Sequence, residues 1–165
     1  MKKIAIIMGS ISDAEKLREA VELFKNYNIP FDVHVYSAHR TPEALMEYIK
    51  NAKNNDFAAI IAAAGKAAHL AGSVAANTTL PVIGIPIKSS TLDGLDALLA
   101  TVQMPSGVPV ATVAIDGAYN AALLAIQILA VSDKAAEEIL VEIKADMKKK
   151  VLDSDLEIKK VYNLQ

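Results

Sequence analysis

The 165-residue chain has no cysteine and no tryptophan, and only 5% of it is aromatic. Without cysteine it can form no disulfide, no thiolate metal site and no cysteine nucleophile, which fits a reducing compartment. It also lacks a long hydrophobic run: no stretch nears the ~20 apolar residues that span a bilayer. Met1-Lys2-Lys3 leads into a short strand-like run, too brief for a secretory signal. These features together predict a cytoplasmic protein without membrane association. Charge of one sign is also missing. The net charge is −2 and no basic stripe lies outside the C-terminal segment, which argues against a nucleic-acid partner. Three histidines without a His-x-x-x-His pair argue against a structural metal, and no metal is expected. What the chain does hold is apolar mass, 53% of its residues with mean hydropathy +0.29. That excludes disorder and predicts strands covered on both faces or a large subunit contact. The length fits a single domain, 1–165, and there is no repeat, low-complexity segment or linker.

Apolar runs alternate with helical patterns along the whole sequence. Residues 3–8 (KIAIIM) read as a parallel strand buried on both faces, followed by a helix over 14–27 capped by Ser12 or Asp13. Residues 31–36 alternate between Phe31, Val33, Val35 and Asp32, His34, Tyr36, as in a strand nearer an edge, with His34 structural. Thr41-Pro42 starts a second helix that runs to about Asn54. Further strands are expected over 57–63, 81–86 and 110–115, with helices over 67–76, 94–102 and 118–131. Residues 87–92 read as a polar loop and 103–109 as a rigid Pro/Gly loop. The 118–131 helix is nearly all apolar and calls for burial all round, by the sheet and by other subunits. A last helix, about 133–151, is capped by Asp133 and striped by Ile139, Ile143, Met147 and Val151. Lys148 to Lys150 fall in its final turn as a solvated helix end, and a short tail follows. Five strands alternating with helices specify an α/β fold: a three-layer sandwich around a five-stranded parallel sheet, flavodoxin-like.

Three loops at strand C-terminal ends carry the polar chemistry, and that edge is where open α/β sheets bind ligands. After the first strand, Gly9-Ser10-Ile11-Ser12-Asp13 is either a phosphate-holding turn or an ordinary capped one. After the second, Ser37-Ala38-His39-Arg40 places an imidazole beside a guanidinium. The fork of Arg40 can grip a phosphate, and an imidazole gives and takes protons near neutrality. The alternative is Arg40 paired with Glu43 or another acid while His39 is solvated. After the third strand, Gly65-Lys66-Ala67-Ala68-His69-Leu70 is almost free of side chains, so its backbone can approach a flat ligand closely. A packed Ala-rich helix start with a hydrogen-bonded His69 is the other reading. If these loops share a rim, Ser10, Ser37 and Arg40 could hold a phosphate while Asp13 takes ribose hydroxyls.

Several familiar motifs are absent. Gly65-Lys66 resembles the end of a P-loop, but Ile60 and Ala67 occupy its glycine and Ser/Thr positions. There is no G-x-G-x-x-G fingerprint, no Gly-x-Ser-x-Gly elbow, and no acidic cluster of a phospho-receiver after the first strand.

Gly9-Ser10-x-Ser12-Asp13, Ser37-Ala38-His39-Arg40-Thr41-Pro42, Gly65-x-Ala67-Ala68-His69-Leu70 and Gln103-Met104-Pro105-x-Gly107-x-Pro109-Val110 occur in that order. Over about 4–131 the chain thereby resembles the 5-(carboxyamino)imidazole ribonucleotide mutase family, also known as the class I phosphoribosylaminoimidazole carboxylase catalytic-subunit family. The resemblance implies an enzyme of purine biosynthesis, a homo-octamer with neither metal nor organic cofactor. It implies a ribonucleotide substrate whose carboxyl group moves from the exocyclic nitrogen to the neighbouring ring carbon. By position, Ser10, Asp13 and Arg40 would bind the ribotide, with Ser37 assisting at the phosphate. His39 would transfer the proton, and His69 with Gly65 would line the carboxylate or carbon dioxide pocket. Ala38, Lys66 and Leu70 belong to the same motifs and are expected at the substrate. Two positions depart from the mutase branch, which usually has Gly and Pro where this chain has Lys66 and Ala71. A related branch that uses free carbon dioxide has a basic residue at Lys66, but no counterpart of His69 and Lys in place of Arg40. The alternatives are therefore a carboxylase using free carbon dioxide and a non-catalytic nucleotide-binding module.

Overall fold

Lys3–Met8 forms the first strand, β1, and alternate residues of it enter two separate cores. A computed structural model of the chain describes residues 1–52, 54–90 and 92–163. The remaining strands are β2 (Phe31–Val35), β3 (Phe57–Gly65), β4 (Val82–Ile87) and β5 (Ala111–Thr112). All pair in parallel in the order β2-β1-β3-β4-β5. The helices are α1 (Arg18–Asn26), α2 (Pro42–Ala52), α3 (Leu70–Ala75), α4 (Leu95–Val102), α5 (Ala118–Ala130) and α6 (Lys134–Val161). Ile4, Ile6 and Met8 join Ile61, Ile83 and Ile85 in one core beneath α1, α5 and α6. Ala5 and Ile7 join Ile60, Ala62, Leu45 and Val74 in the other, beneath α2 and α3. Burial of both faces accounts for the uninterrupted apolar runs of the strands.

The elements differ from their predicted bounds in ways the local chemistry explains. The first helix does not open as an α-helix: Ile11–Leu17 is 3-10, and its cap is Ser10 rather than Ser12 or Asp13. The expected 67–76 helix begins only at Leu70, because the backbone before it is taken up in a tight turn in which His69 N donates to the Ala67 carbonyl at 2.8 Å. The fifth strand shrinks to two residues. Pro86 of β4 has no N–H to offer a longer neighbour, and Val113 and Asp116 make isolated bonds to Gly84 and Pro86 carbonyls. In edge strand β2 the alternation is inverted: Val33 and Val35 are exposed, while His34 and Tyr36 gather around Tyr48. Helix α5 packs against the sheet, α1 and α6 of its own chain.

The last helix is longer than its stripe predicts. No Gly or Pro interrupts 134–161, so it continues past Val151 and leaves Lys148 to Lys150 mid-helix. Of the stripe, Ile143 is buried and Ile139 packs on the core, but Met147 and Val151 are exposed. Among the described residues no helix is long and apolar enough to cross a membrane. Lys53, inside the expected second helix, Thr91, inside the expected 87–92 loop, and the last two residues of the tail lie outside the described residues.

Candidate active site

From β1 the chain moves outward to β2, then crosses back over β1 to β3. The connections after β1 and after β3 therefore part on opposite sides of the sheet, leaving a crevice beyond the strands' C-terminal ends. A cavity of about 670 Å³ occupies it, walled by all three polar loops and by the start of a fourth.

Ser10 sits in extended backbone and folds the first loop. Its Oγ accepts from Ser12 N at 3.3 Å and Ser12 Oγ at 2.9 Å, and its carbonyl accepts from Asp13 N at 3.1 Å. Asp13 lines the cavity without serving as the cap. Burial raises its pKa above the ordinary aspartate value and the Asp116 charge adds to this, against bonds from Ser12 and Ser10 that lower it.

The second loop closes on itself. Ser37 N donates to Thr41 Oγ1 at 2.9 Å, and Ser37 Oγ accepts from Arg40 N at 3.2 Å and Arg40 Nε at 3.4 Å. Arg40 Nη2 then donates to Gly9 O at 3.3 Å, tying the second loop to the first. The alternative Arg40–Glu43 pair does not form, and among the described residues the guanidinium has no carboxylate partner.

The third loop supplies Gly65, Lys66, Ala67 and Leu70 to the cavity wall. A Cβ on Gly65 would stand 3.0 Å from the Ile87 carbonyl, so a larger residue here would push the strand end away from β4 by a few tenths of an ångström. His69 is not among the residues that wall the cavity but stands beside one that does. It stands immediately before α3 and meets His39, whose Nε2 lies 2.9 Å from His69 Nδ1. The rings are edge-on, 76° apart in plane. One nitrogen of this pair donates and the other accepts, so each ring fixes the orientation of its partner.

Thus Ser10, Asp13, Ser37, Ala38, His39, Arg40, Gly65, Lys66 and Leu70 share one cavity, with His69 behind His39. Sequence reasoning missed Lys16, Lys88 and Ser89, which also line it. Lys88-Ser89 directly follows a buried strand, the same signal that marked the other loops. Lys16 lies about one turn beyond Asp13, which could have pointed to it. Asp116 was also missed: its Oδ2 accepts from Lys16 Nζ at 2.6 Å and its Oδ1 from Lys88 N at 2.9 Å. The Gln103 to Pro109 loop is not part of the wall; its Met104 packs against Gly72 of α3. Among the described residues no three His, Asp or Glu converge as metal ligands. The cavity can hold a phosphate through Arg40, accept from hydroxyls at Asp13 and move a proton at His39.

The chain is similar to known proteins in sequence and in fold. The model of the AIR carboxylase family matches residues 3–150. N5-carboxyaminoimidazole ribonucleotide mutase of Saccharolobus solfataricus is 55% identical over 157 residues, 95% of this chain and 99% of that protein. The protein of the same name from Methanocaldococcus jannaschii is 52% identical over 159 residues, 96% and 99% of the two chains. Among solved structures, Treponema denticola PurE superposes with a TM-score of 0.86 at 28% identity, over 95% of this chain and 98% of that one.

Proposed function

The chain belongs to the AIR carboxylase family, and from that premise we propose that it is a mutase acting on N5-carboxyaminoimidazole ribonucleotide. It moves the carboxyl group from the exocyclic nitrogen to the adjacent ring carbon. The observation that carries this reading is the His39–His69 pair, 2.9 Å apart, beside a cavity walled by Gly9, Ala38, Ala64, Gly65 and Ala67.

The chemistry needs few groups. Protonating the carbamate nitrogen weakens its bond to the carboxyl carbon, and carbon dioxide leaves with the nitrogen keeping the bonding pair. The freed molecule is small and uncharged, so the glycine and alanine stretch of the wall can hold it close to the ring. The electron-rich ring carbon attacks it, and loss of the ring proton restores aromaticity. His39 donates the first proton and accepts the last, so the imidazole ends as it began and no co-reactant is consumed. His69 orients that ring. Arg40 and Ser10 hold the phosphate with help from Ser37, and Asp13 takes the ribose hydroxyls. Gly65, Ala38, Lys66 and Leu70 frame the base and the migrating carboxyl group. The active form is a cytoplasmic homo-octamer that requires no cofactor.

Incubating the purified chain with the carbamate ribotide tests this directly. The expected result is conversion to the 4-carboxylate without added bicarbonate. Conversion only from aminoimidazole ribotide plus bicarbonate would instead identify a carboxylase using free carbon dioxide. Binding without turnover would identify a non-catalytic nucleotide module.

A further inference from the structure

Seven non-glycine residues among those described take a positive φ, and five of them are Asn or Asp. Those two residue types tolerate left-handed backbone because their short polar side chains bond locally. Lys66 (φ 55°) and Leu92 (φ 52°) are the exceptions, and of the two only Lys66 lines the cavity. A lysine gains nothing locally from that conformation, which glycine adopts without strain. Strain of this kind at a ligand cavity points to a role for the side chain in function.

The charges around the cavity give the second argument. Lys16 is paired with Asp116 at 2.6 Å and Lys88 with Asp93 at 3.1 Å. Lys66 is exposed and, among the described residues, has no carboxylate partner. Arg40, likewise without a carboxylate, rests against Gly9 O and Ser37 Oγ beyond β1 and β2. The wall thus presents two uncompensated cations from separate loops, Arg40 after β2 and Lys66 after β3. A ligand with a phosphate at one end and a carboxylate at the other matches that arrangement.

We propose that Lys66 is a specificity-determining residue whose ammonium recognises the substrate's carboxylate, selecting carboxylated over uncarboxylated ribotides. This rests on the ribotide reading given above and adds to it which cation reads which end of the ligand.

Titration calorimetry of the full chain with aminoimidazole ribotide, and separately with its 4-carboxylate, tests the assignment. In Lys66→Ala and Lys66→Met the 4-carboxylate should bind about tenfold more weakly, the scale of one charge-assisted contact. Aminoimidazole ribotide should be affected less than about twofold, and Lys66→Arg should keep the preference. Lys66→Gly should lose the preference and also unfold at a higher temperature, because its backbone strain is gone. Equal losses for both ribotides, or no loss for either, would overturn the role of Lys66 while leaving the ribotide reading intact. If the unmodified chain binds neither ribotide, the ribotide reading falls and the role of Lys66 falls with it.

Discussion

His39 is the side chain on which turnover depends in this reading, and Arg40, next in sequence, is the one on which affinity depends. Replacing His39 with Asn keeps a polar side chain but removes the proton carrier. Turnover should fall by about a hundred- to ten-thousandfold, with ribotide affinity, read by calorimetry, changed only a few-fold; unchanged turnover would exclude His39 as the proton carrier. Arg40→Lys should do the reverse. A point charge cannot donate to Gly9 O and Ser37 Oγ and also fork onto a phosphate, so KM should rise about tenfold while kcat holds. Asp13 allows a sign to be worked out. Its folded-state pKa lies above the unfolded value, so the folded chain binds the proton more tightly and burying the ionised carboxylate opposes folding. That cost is absent below the unfolded pKa and complete above the folded one. Asp13→Asn should therefore raise the melting temperature of the ligand-free protein near neutral pH, and the gain should vanish toward about pH 3. A gain that persists in acid would mean that something other than charge burial is responsible. His39, Arg40 and Asp13 were all legible in the sequence because each follows a strand end. Asp116 was not: its partners Lys16 and Lys88 lie far from it in sequence, and only the fold brings them to one carboxylate.

At the scale of elements, β4 and α4 show how closely the layers pack. A Cβ on Gly84 would lie 2.5 Å from Thr101 Cγ2 and 2.9 Å from Val110 Cγ1, so this glycine is required by contact and not by turn geometry. Thr101 is buried, with its hydroxyl committed to the Ala97 carbonyl at 2.7 Å, and has no room to retreat. Gly84→Ala should destabilise the fold by about 1–3 kcal/mol in urea denaturation, the usual cost of overpacking. A neutral result would mean that α4 can lift off the sheet. The sequence placed β4 and α4 within a residue or so of where they lie, because buried strands and helix starts have strong local signals. It misjudged β5 and α6, whose ends depend on a neighbour's missing N–H and on the mere lack of a breaker.

The whole molecule carries apolar surface that its own core does not use. On α4, Leu95, Leu99 and Val102 are each 48% exposed, and beyond the body of the fold α6 presents Val151, Leu152 and Leu156 to solvent. Exposed apolar area of this extent accords with the proposed assembly of subunits. Sedimentation should return a mass about eight times that of the 17.6 kDa chain. Leu95→Lys with Leu99→Lys should lower that mass while leaving the subunit folded by circular dichroism. A single-chain mass for the unmodified protein would rule the assembly out.

The sequence by itself determined the alternation of strands and helices, the parallel sheet, and the strand ends at which ligand chemistry would gather. Those properties follow from hydrophobic period and turn chemistry, which act between residues close in the chain. Only the tertiary structure decided that His69 meets His39 and that Asp116 neutralises Lys16. Each of these is a meeting of side chains from different strand ends or loops, and distances of that kind exist only once the sheet has set its strand order.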